Sequence, residues 1–268
     1  MNLGNLNSHP AFVSNSMLSN ALDRIGLGEG DTVYVASSMA SLGFMDDPLN
    51  TICNLLIEKV GKNGTIIMPT FNFDFCKGED FNVQKTTSNV GTLTEYFRKN
   101  VSTHRSTSPP YHSVCAKGHH AESISNIRSL TSFGFDSVFQ FLLDINAKYL
   151  LIGVGFDAVP SFHWLEQNVE VPYRFWKSFS GNVLDGVKSN FQKHEMYARK
   201  EGYSLDLNPL SDLLLEKGKL IEYTVGWCQL KSFQTVPFTK YFLPLMVKDP
   251  TLLLDKVSKE LLKTKTII

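Results

Sequence analysis

The most chemically suggestive spacing in this sequence is His163-Trp164-Leu165-Glu166. On a helix, residues three apart share a face, so the imidazole and the carboxylate point at one cleft. Ser161 fits the N-cap position, which puts His163 in the first helical turn. The positive helix end there disfavours imidazolium and keeps the ring neutral, able to accept a proton. Glu166 acts the other way and stabilises the charge that arrives. The pair has the layout of a general base with an orienting acid. The same spacing also serves as a structural ion pair or as half of a metal site, although no third ligand stands at a telling distance along the chain.

A second polar constellation runs from His104 to Ser113, with Arg105, Ser106, His112 and two prolines, Pro109 and Pro110. Bases, hydroxyls and rigid turns of this kind suit a phosphorylated ligand, or simply a solvated loop. The His119-His120 doublet reads as surface. Gly153-Val154-Gly155-Phe156-Asp157-Ala158 formally matches a dinucleotide-binding glycine motif. Pro160 and Ser161 place the next helix two residues too late for it, and no acid closes a second strand, so the segment reads as a tight turn. The sequence contains no GxSxG elbow, Walker loop, HExxH or paired-carboxylate signature. Hydrolase, nucleoside-triphosphatase and zinc-protease chemistry thus have no support.

Elements that can position these groups are legible in the hydrophobic periodicity. The spacing predicts helices over 14–25, from Pro48 to Val60, over 91–99, around 138–143, from Ser161 onward, and over 188–200, 209–216 and 251–262. Asp47 reads as an N-cap acid before Pro48. Strands are expected at 32–36, 65–68, 113–116, 148–154, 220–223 and 226–230. The stretch 69–88 has no helical period but carries Phe71, Phe73, Phe75 and Phe81, as a functional loop does. Residues 1–13 read as a loose arm. Strands alternate with helices and no linker interrupts them, which predicts one α/β domain with helices on both faces of a central sheet.

Composition bounds the rest. The chain has 268 residues, 43% of them hydrophobic and 19% charged, enough for a sizeable core. Lys plus Arg and Asp plus Glu number 26 each, so electrostatics give no case for nucleic acid as a partner. The four cysteines are scattered without a CxxC pair, as in a reducing compartment. No apolar run is long enough for a membrane span or a leader, and a cytoplasmic protein is expected.

Read in order, several short pieces resemble the aminoglycoside N3-acetyltransferase family. They include Val35-Ala36-Ser37-Ser38-Met39, Met68-Pro69-Thr70-Phe71, Arg105-Ser106 with His112-Ser113, Leu150-Leu151-Ile152-Gly153-Val154, His163 with Glu166, and Val171-Pro172-Tyr173-Arg174. The resemblance covers residues 26 to 245 and implies a single α/β domain with a central mixed sheet flanked by helices on both faces. It implies an acyl-CoA:amine N-acyltransferase using acetyl-CoA or another short acyl-CoA, with no metal. His163 is then the general base and Glu166 its partner. Ser37, Ser38 and Met39 lie by the thioester, and Arg105, Ser106, His112 and Ser113 on the CoA side. Thr70, Phe71, Asp74 and Tyr173 fall to the acceptor. Many members carry His before the Ser-Ser pair, where this chain has Ala36. Backbone N–H groups just after the 33–36 strand are reasonable donors to the developing oxyanion. Aminoglycosides are polycations, yet this chain is neutral with few clustered acids. The expected acceptor is therefore an amino sugar with fewer positive charges, such as a nucleotide-linked amino sugar of surface-polysaccharide synthesis. An aminoglycoside resistance enzyme and a non-catalytic CoA- or sugar-binding protein are the alternatives.

Overall fold

Side-chain alternation along the strands divides the core in two. In the computed structural model, which describes residues 12–266, Tyr34, Ala36, Ile67, Tyr149 and Leu151 point into one apolar cluster. Their neighbours Val33, Val35, Ile66, Leu150 and Ile152 point into a second. That is the signature of a sheet covered on both faces.

The strands are β1 (Thr32–Ser37), β2 (Thr65–Pro69), β3 (Phe81–Asn82), β4 (His104–Arg105), β5 (Val114–Gly118), β6 (Lys148–Ile152), β7 (Arg174–Asp185), β8 (Lys188–Arg199), β9 (Ile221–Val225) and β10 (Cys228–Gln234). Seven of them form the main sheet in the order β4-β5-β2-β1-β6-β10-β9, and a smaller sheet runs β3-β7-β8. β1 is parallel to β2 and β6, whereas β5 and β10 join antiparallel, so the main sheet is mixed. The helices are α1 (Asn15–Arg24), α2 (Pro48–Val60), α3 (Thr92–Asn100), α4 (Ala121–Asn126), α5 (Val138–Asp144), α6 (Ser161–Val169), α7 (Asn208–Glu216), α8 (Thr235–Lys248) and α9 (Lys256–Thr266). Buried residues of α1, α2 and α3 join one cluster, and those of α4 to α8 the other. β1 is parallel to both of its neighbours, and the chain leaves it toward β2 on one side and reaches β6 on the other. A crevice opens at such a switch point, beyond the carboxyl ends of the strands.

Several expectations give way to tertiary structure. Residues 188–200 form β8, not a helix, and the whole of β7 was unmarked by any pattern. The two strands are joined through Gly186-Val187, where Gly186 takes φ 60°. Of the hairpin's strand residues only Arg174, Val183 and His194 are buried, so no apolar alternation records it. Helix α8 was hidden by Pro237 in its first turn and Pro244 inside it. The last helix starts at Lys256, five residues later than expected. Asp47 does precede α2, but in a left-handed conformation at φ 41° and without capping it; its carboxylate accepts from Asn50 Nδ2 at 3.0 Å. Of the expected N-terminal arm, residues 1–11 lie outside the described residues, while Val13 is packed in the core and its N–H donates to the Phe44 carbonyl at 2.8 Å.

Candidate active site

Helix α6 stands over the crevice with His163 in its first turn. Ser161 is its first helical residue and does not act as the cap; its hydroxyl bonds to Tyr149 Oη at 2.5 Å and fastens the helix start to β6. One turn further on, Glu166 is fully buried, and its Oε2 lies 2.8 Å from His163 Nδ1. The helix ends at Glu170 in a left-handed turn, φ 55°, and the chain doubles back so that Arg174 opens β7 beneath the helix. Arg174 Nη2 then reaches Glu166 Oε2 at 2.6 Å and stands 2.9 Å from His163 Nδ1. Arg174 Nη1 donates to the Tyr197 carbonyl at 2.9 Å.

Electrostatics fix the roles. Burial pushes the Glu166 carboxyl up, but His163 and Arg174 outweigh it and hold the group below its ordinary value, so it is ionised. Burial lowers the His163 pKa; Glu166 opposes this, and Arg174 and Arg199 add to it. A neutral ring that donates Nδ1–H to Glu166 leaves the Nε2 lone pair able to accept a proton.

Two cavities meet at this ring. His163 and Asp157 line both. One cavity, of about 630 Å³, is polar and bordered by Arg174, Arg199, Asp206 and Lys231. The other, of about 280 Å³, is bordered by Pro69, Phe71, Phe73, Val90, Ala36 and His112, with Ser37 and Tyr34 at its base. The hydroxyls of Tyr34 and Ser37 are buried without hydrogen-bond partners among the described residues.

The residues expected at the site divide accordingly. His163, Glu166, Ser37, Phe71 and His112 are brought together. His112 Nδ1 bonds to Ser132 Oγ at 2.6 Å, and burial, with His163 and Arg174 adding, lowers its pKa to about 3. Ser38 lies at the end of β1, but its N–H donates to the Ile152 carbonyl at 2.9 Å, so this backbone donor is committed to the sheet. Met39 opens a single 3₁₀ turn and packs against the α1–α3 cluster.

Arg105, Ser106, Ser113 and Thr70 are buried and bonded to one another or to backbone, and border neither cavity. Arg105 donates to the carbonyls of Val83 at 3.0 Å, Thr86 at 2.6 Å and Thr70 at 3.1 Å, and lies over the Phe81 ring. It is the post around which the 69–88 loop is wrapped. Ser106 Oγ accepts from Val114 N–H, and Ser113 Oγ donates to the Thr70 carbonyl. Asp74 pairs with Lys77 at 2.8 Å in a separate depression on the far side of that loop. Tyr173 is wholly buried behind Glu166, where burial and that carboxylate push its phenol up, so it meets no acceptor. Asp157 and Arg199 were missed. Asp157 sits in the turn after β6, in the segment read as a plain loop, and Arg199 arrives on the unforeseen hairpin.

The mixed α/β sheet thus carries a buried His–Glu pair at the junction of a polar and an apolar cavity, an arrangement with room for two ligands on either side of one imidazole. Residues 34–246 match the family described as aminoglycoside 3-N-acetyltransferase, and the chain belongs to that family of N-acetyltransferases. It is similar to the SPbeta prophage-derived aminoglycoside N(3')-acetyltransferase-like protein YokD of Bacillus subtilis (strain 168), with 28% identity over 176 residues, 57% of this chain and 64% of that protein. That match therefore spans just under two thirds of the relative. It is also 24% identical to aminoglycoside N(3)-acetyltransferase III of Salmonella sp over 245 residues, 81% of this chain and 85% of the relative. The fold is shared with AAC-IIIb in its binary complex with CoASH, at a TM-score of 0.77, 20% identity, and 88% and 97% coverage of the two chains. Sisomicin-bound AAC-VIa matches at 0.76 and 19% identity, over 88% of this chain and 98% of that one. Among the described residues no group of His, Cys, Asp and Glu is arranged to hold a metal ion, and no helix is long and apolar enough to cross a membrane.

Proposed function

We propose that this protein transfers an acetyl group from acetyl-CoA to an amino group of an amino sugar, with His163 as general base and Glu166 as its orienting partner. The observation that carries the reading is an imidazole whose Nδ1 is held by a buried carboxylate and whose side chain lines both cavities. The narrower, mainly apolar cavity suits a pantetheine arm, and acetyl-CoA supplies an activated thioester there. The larger polar cavity suits a hydroxyl- and amine-bearing acceptor. An alkyl ammonium has a pKa near ~10, so the attacking amine must shed a proton, and Nε2 takes it. Ser37 and Tyr34 line the apolar cavity, and their hydroxyls, with no hydrogen-bond partner among the described residues, are available to the carbonyl oxygen as its charge develops.

Relatives named as aminoglycoside N(3)-acetyltransferases support an aminoglycoside acceptor first. The nucleotide-linked amino sugar expected from the neutral charge balance has no relative behind it. It keeps one supporting observation, the basic side chains Arg199 and Lys231 on the polar cavity.

The test is acetylation of kanamycin-type and nucleotide-linked amino sugars by the wild type and His163→Ala. Loss of about 10²–10⁴ in kcat with acetyl-CoA binding retained is expected, the usual range for a lost general base. Unchanged turnover in His163→Ala removes the mechanism, and absence of turnover with every amine leaves the CoA- or sugar-binding alternative.

A further inference from the structure

Behind the candidate base, two buried polar atoms lack partners that they could give each other. Glu166 Oε2 is taken by His163 Nδ1 at 2.8 Å and by Arg174 Nη2 at 2.6 Å. The other carboxylate oxygen, Oε1, is enclosed and has no hydrogen-bond partner among the described residues, and neither has the hydroxyl of Tyr173. Both side chains are fully buried. A carboxylate oxygen can only accept, and a phenol is a neutral donor that suits it. Left apart, each group bears the cost of lost hydration with nothing in return.

The backbone brings the two groups together. Where α6 ends, Val171 N–H donates to the Glu166 carbonyl at 3.2 Å and Arg174 N–H to the Val171 carbonyl at 3.3 Å. Lys200 N–H, just past β8, donates to the Tyr173 carbonyl at 2.9 Å. This doubly fastened turn returns Tyr173 and Arg174 to the helix they have just left, with Arg174 on Oε2. Burial first, then the charge of Glu166 and its capacity to accept a hydrogen bond, raise the proton affinity of the Tyr173 phenol. The phenol keeps its proton and can serve only as a donor to the carboxylate.

We propose that Tyr173 is a positioning residue whose phenol donates to Glu166 Oε1, so that Oε2 stays turned to His163 Nδ1 and the base keeps its productive tautomer. This rests on the transferase reading above and extends the pair to a chain, Tyr173–Glu166–His163, braced by Arg174. The donor shares its proton without giving it up, so the carboxylate remains ionised. Without the phenol, the negative charge of Glu166 is less spread and pulls harder on an imidazolium. The other groups bearing on this titration are Arg174 on β7, Arg199 on β8 and His112 ahead of β5. Tyr197 on β8 also senses Glu166. All of them stay in place when only the Tyr173 hydroxyl is removed.

The experiment uses Tyr173→Phe, Glu166→Gln, the double variant, and protein with 3-fluorotyrosine at position 173. Kinetics with kanamycin and acetyl-CoA are measured beside an NMR titration of His163 in the free protein. Tyr173→Phe should lower kcat about tenfold, the usual worth of a hydrogen bond to a charged group. It should leave KM for acetyl-CoA within about twofold. The His163 pKa and the acid limb of kcat/KM should both move to higher pH, opposite to the shift expected for Glu166→Gln. In the Glu166→Gln background the same change should cost less than about twofold, because its target is gone. 3-Fluorotyrosine keeps the ring and hydroxyl but is a stronger donor, so it should move the His163 pKa to lower pH; it also serves as the test if Tyr173→Phe does not fold. A His163 titration unmoved by the change at 173, or an equal loss of kcat with and without the Glu166 carboxylate, overturns the proposal and leaves the phenol as packing. Absence of acetylation with every amine defeats the transferase reading alone, since the NMR titration still decides on Tyr173.

Discussion

At His163, two neighbours compete for one nitrogen. Glu166 Oε2 and Arg174 Nη2 both lie within 3 Å of Nδ1, at 2.8 and 2.9 Å. The carboxylate needs a proton on that nitrogen, and the guanidinium needs a lone pair. Only the first leaves Nε2 able to act as a base. Arg174 also grips Glu166 Oε2 itself, so its effect is to hold the carboxylate in place and ionised. Glu166→Gln keeps the shape but offers Nδ1 an amide N–H as readily as a carbonyl, which favours the wrong tautomer. We expect kcat to fall about 10²–10⁴-fold with a small change in KM for acetyl-CoA, and stopped-flow turnover beside a binding titration checks it. Removing the carboxylate also removes the influence that raises the His163 pKa, so the acid limb of kcat/KM should move to lower pH. The His163/Glu166 pair was legible because it lies within a single helical turn. Arg174 was visible only as part of a sequence block, and Arg199 not at all, because cross-strand partners eleven to thirty-six residues away leave no local period.

Individual elements repeat that contrast. Strands β1, β2 and β6 could be read because they are buried on both faces and are therefore continuous apolar runs, ending at Ser37, at Pro69 and before Gly153. The β7/β8 hairpin could not, because only Arg174, Val183 and His194 of its strand residues are buried, and three scattered positions make no apolar alternation. Arg105 shows how chemistry-bearing residues mislead: a lone basic group in a Ser- and Pro-rich stretch looks like a phosphate ligand, yet here it satisfies the carbonyls of Thr70, Val83 and Thr86 in the 69–88 loop. Arg105→Ala should lower stability by about 2–4 kcal/mol through those orphaned carbonyls, read as a reduced urea midpoint at constant m, and should expose the loop to proteases. A variant that folds with full stability but binds acetyl-CoA poorly would instead restore the ligand role.

For the molecule as a whole, buried imidazoles tie stability to pH. Burial lowers the pKa values of His112, His163 and His194. Above pH ~6.5 neither folded nor unfolded chain protonates them and they contribute nothing. Below it the unfolded chain takes up protons that the fold refuses, so stability falls as the pH drops toward the folded values, about 3 for His112. Each such ring adds a slope of about 1.4 kcal/mol per pH unit over its window. Urea midpoints should therefore decline steadily from pH 7 to pH 5, and His112→Gln should flatten that decline; a midpoint independent of pH over this range contradicts the burial of these rings. The two-faced core was within reach of the sequence, but the strand order and the division of the crevice into two cavities were not, since they depend on where segments distant in the chain come to rest. The long hairpin has one last consequence. Its tip beyond Asp185 and Lys188 can gain or lose residues freely, but along β8 a single inserted residue would turn Arg199 to the opposite side of the ribbon. That length is thus a dimension of the reaction chamber itself, set far from any reacting atom.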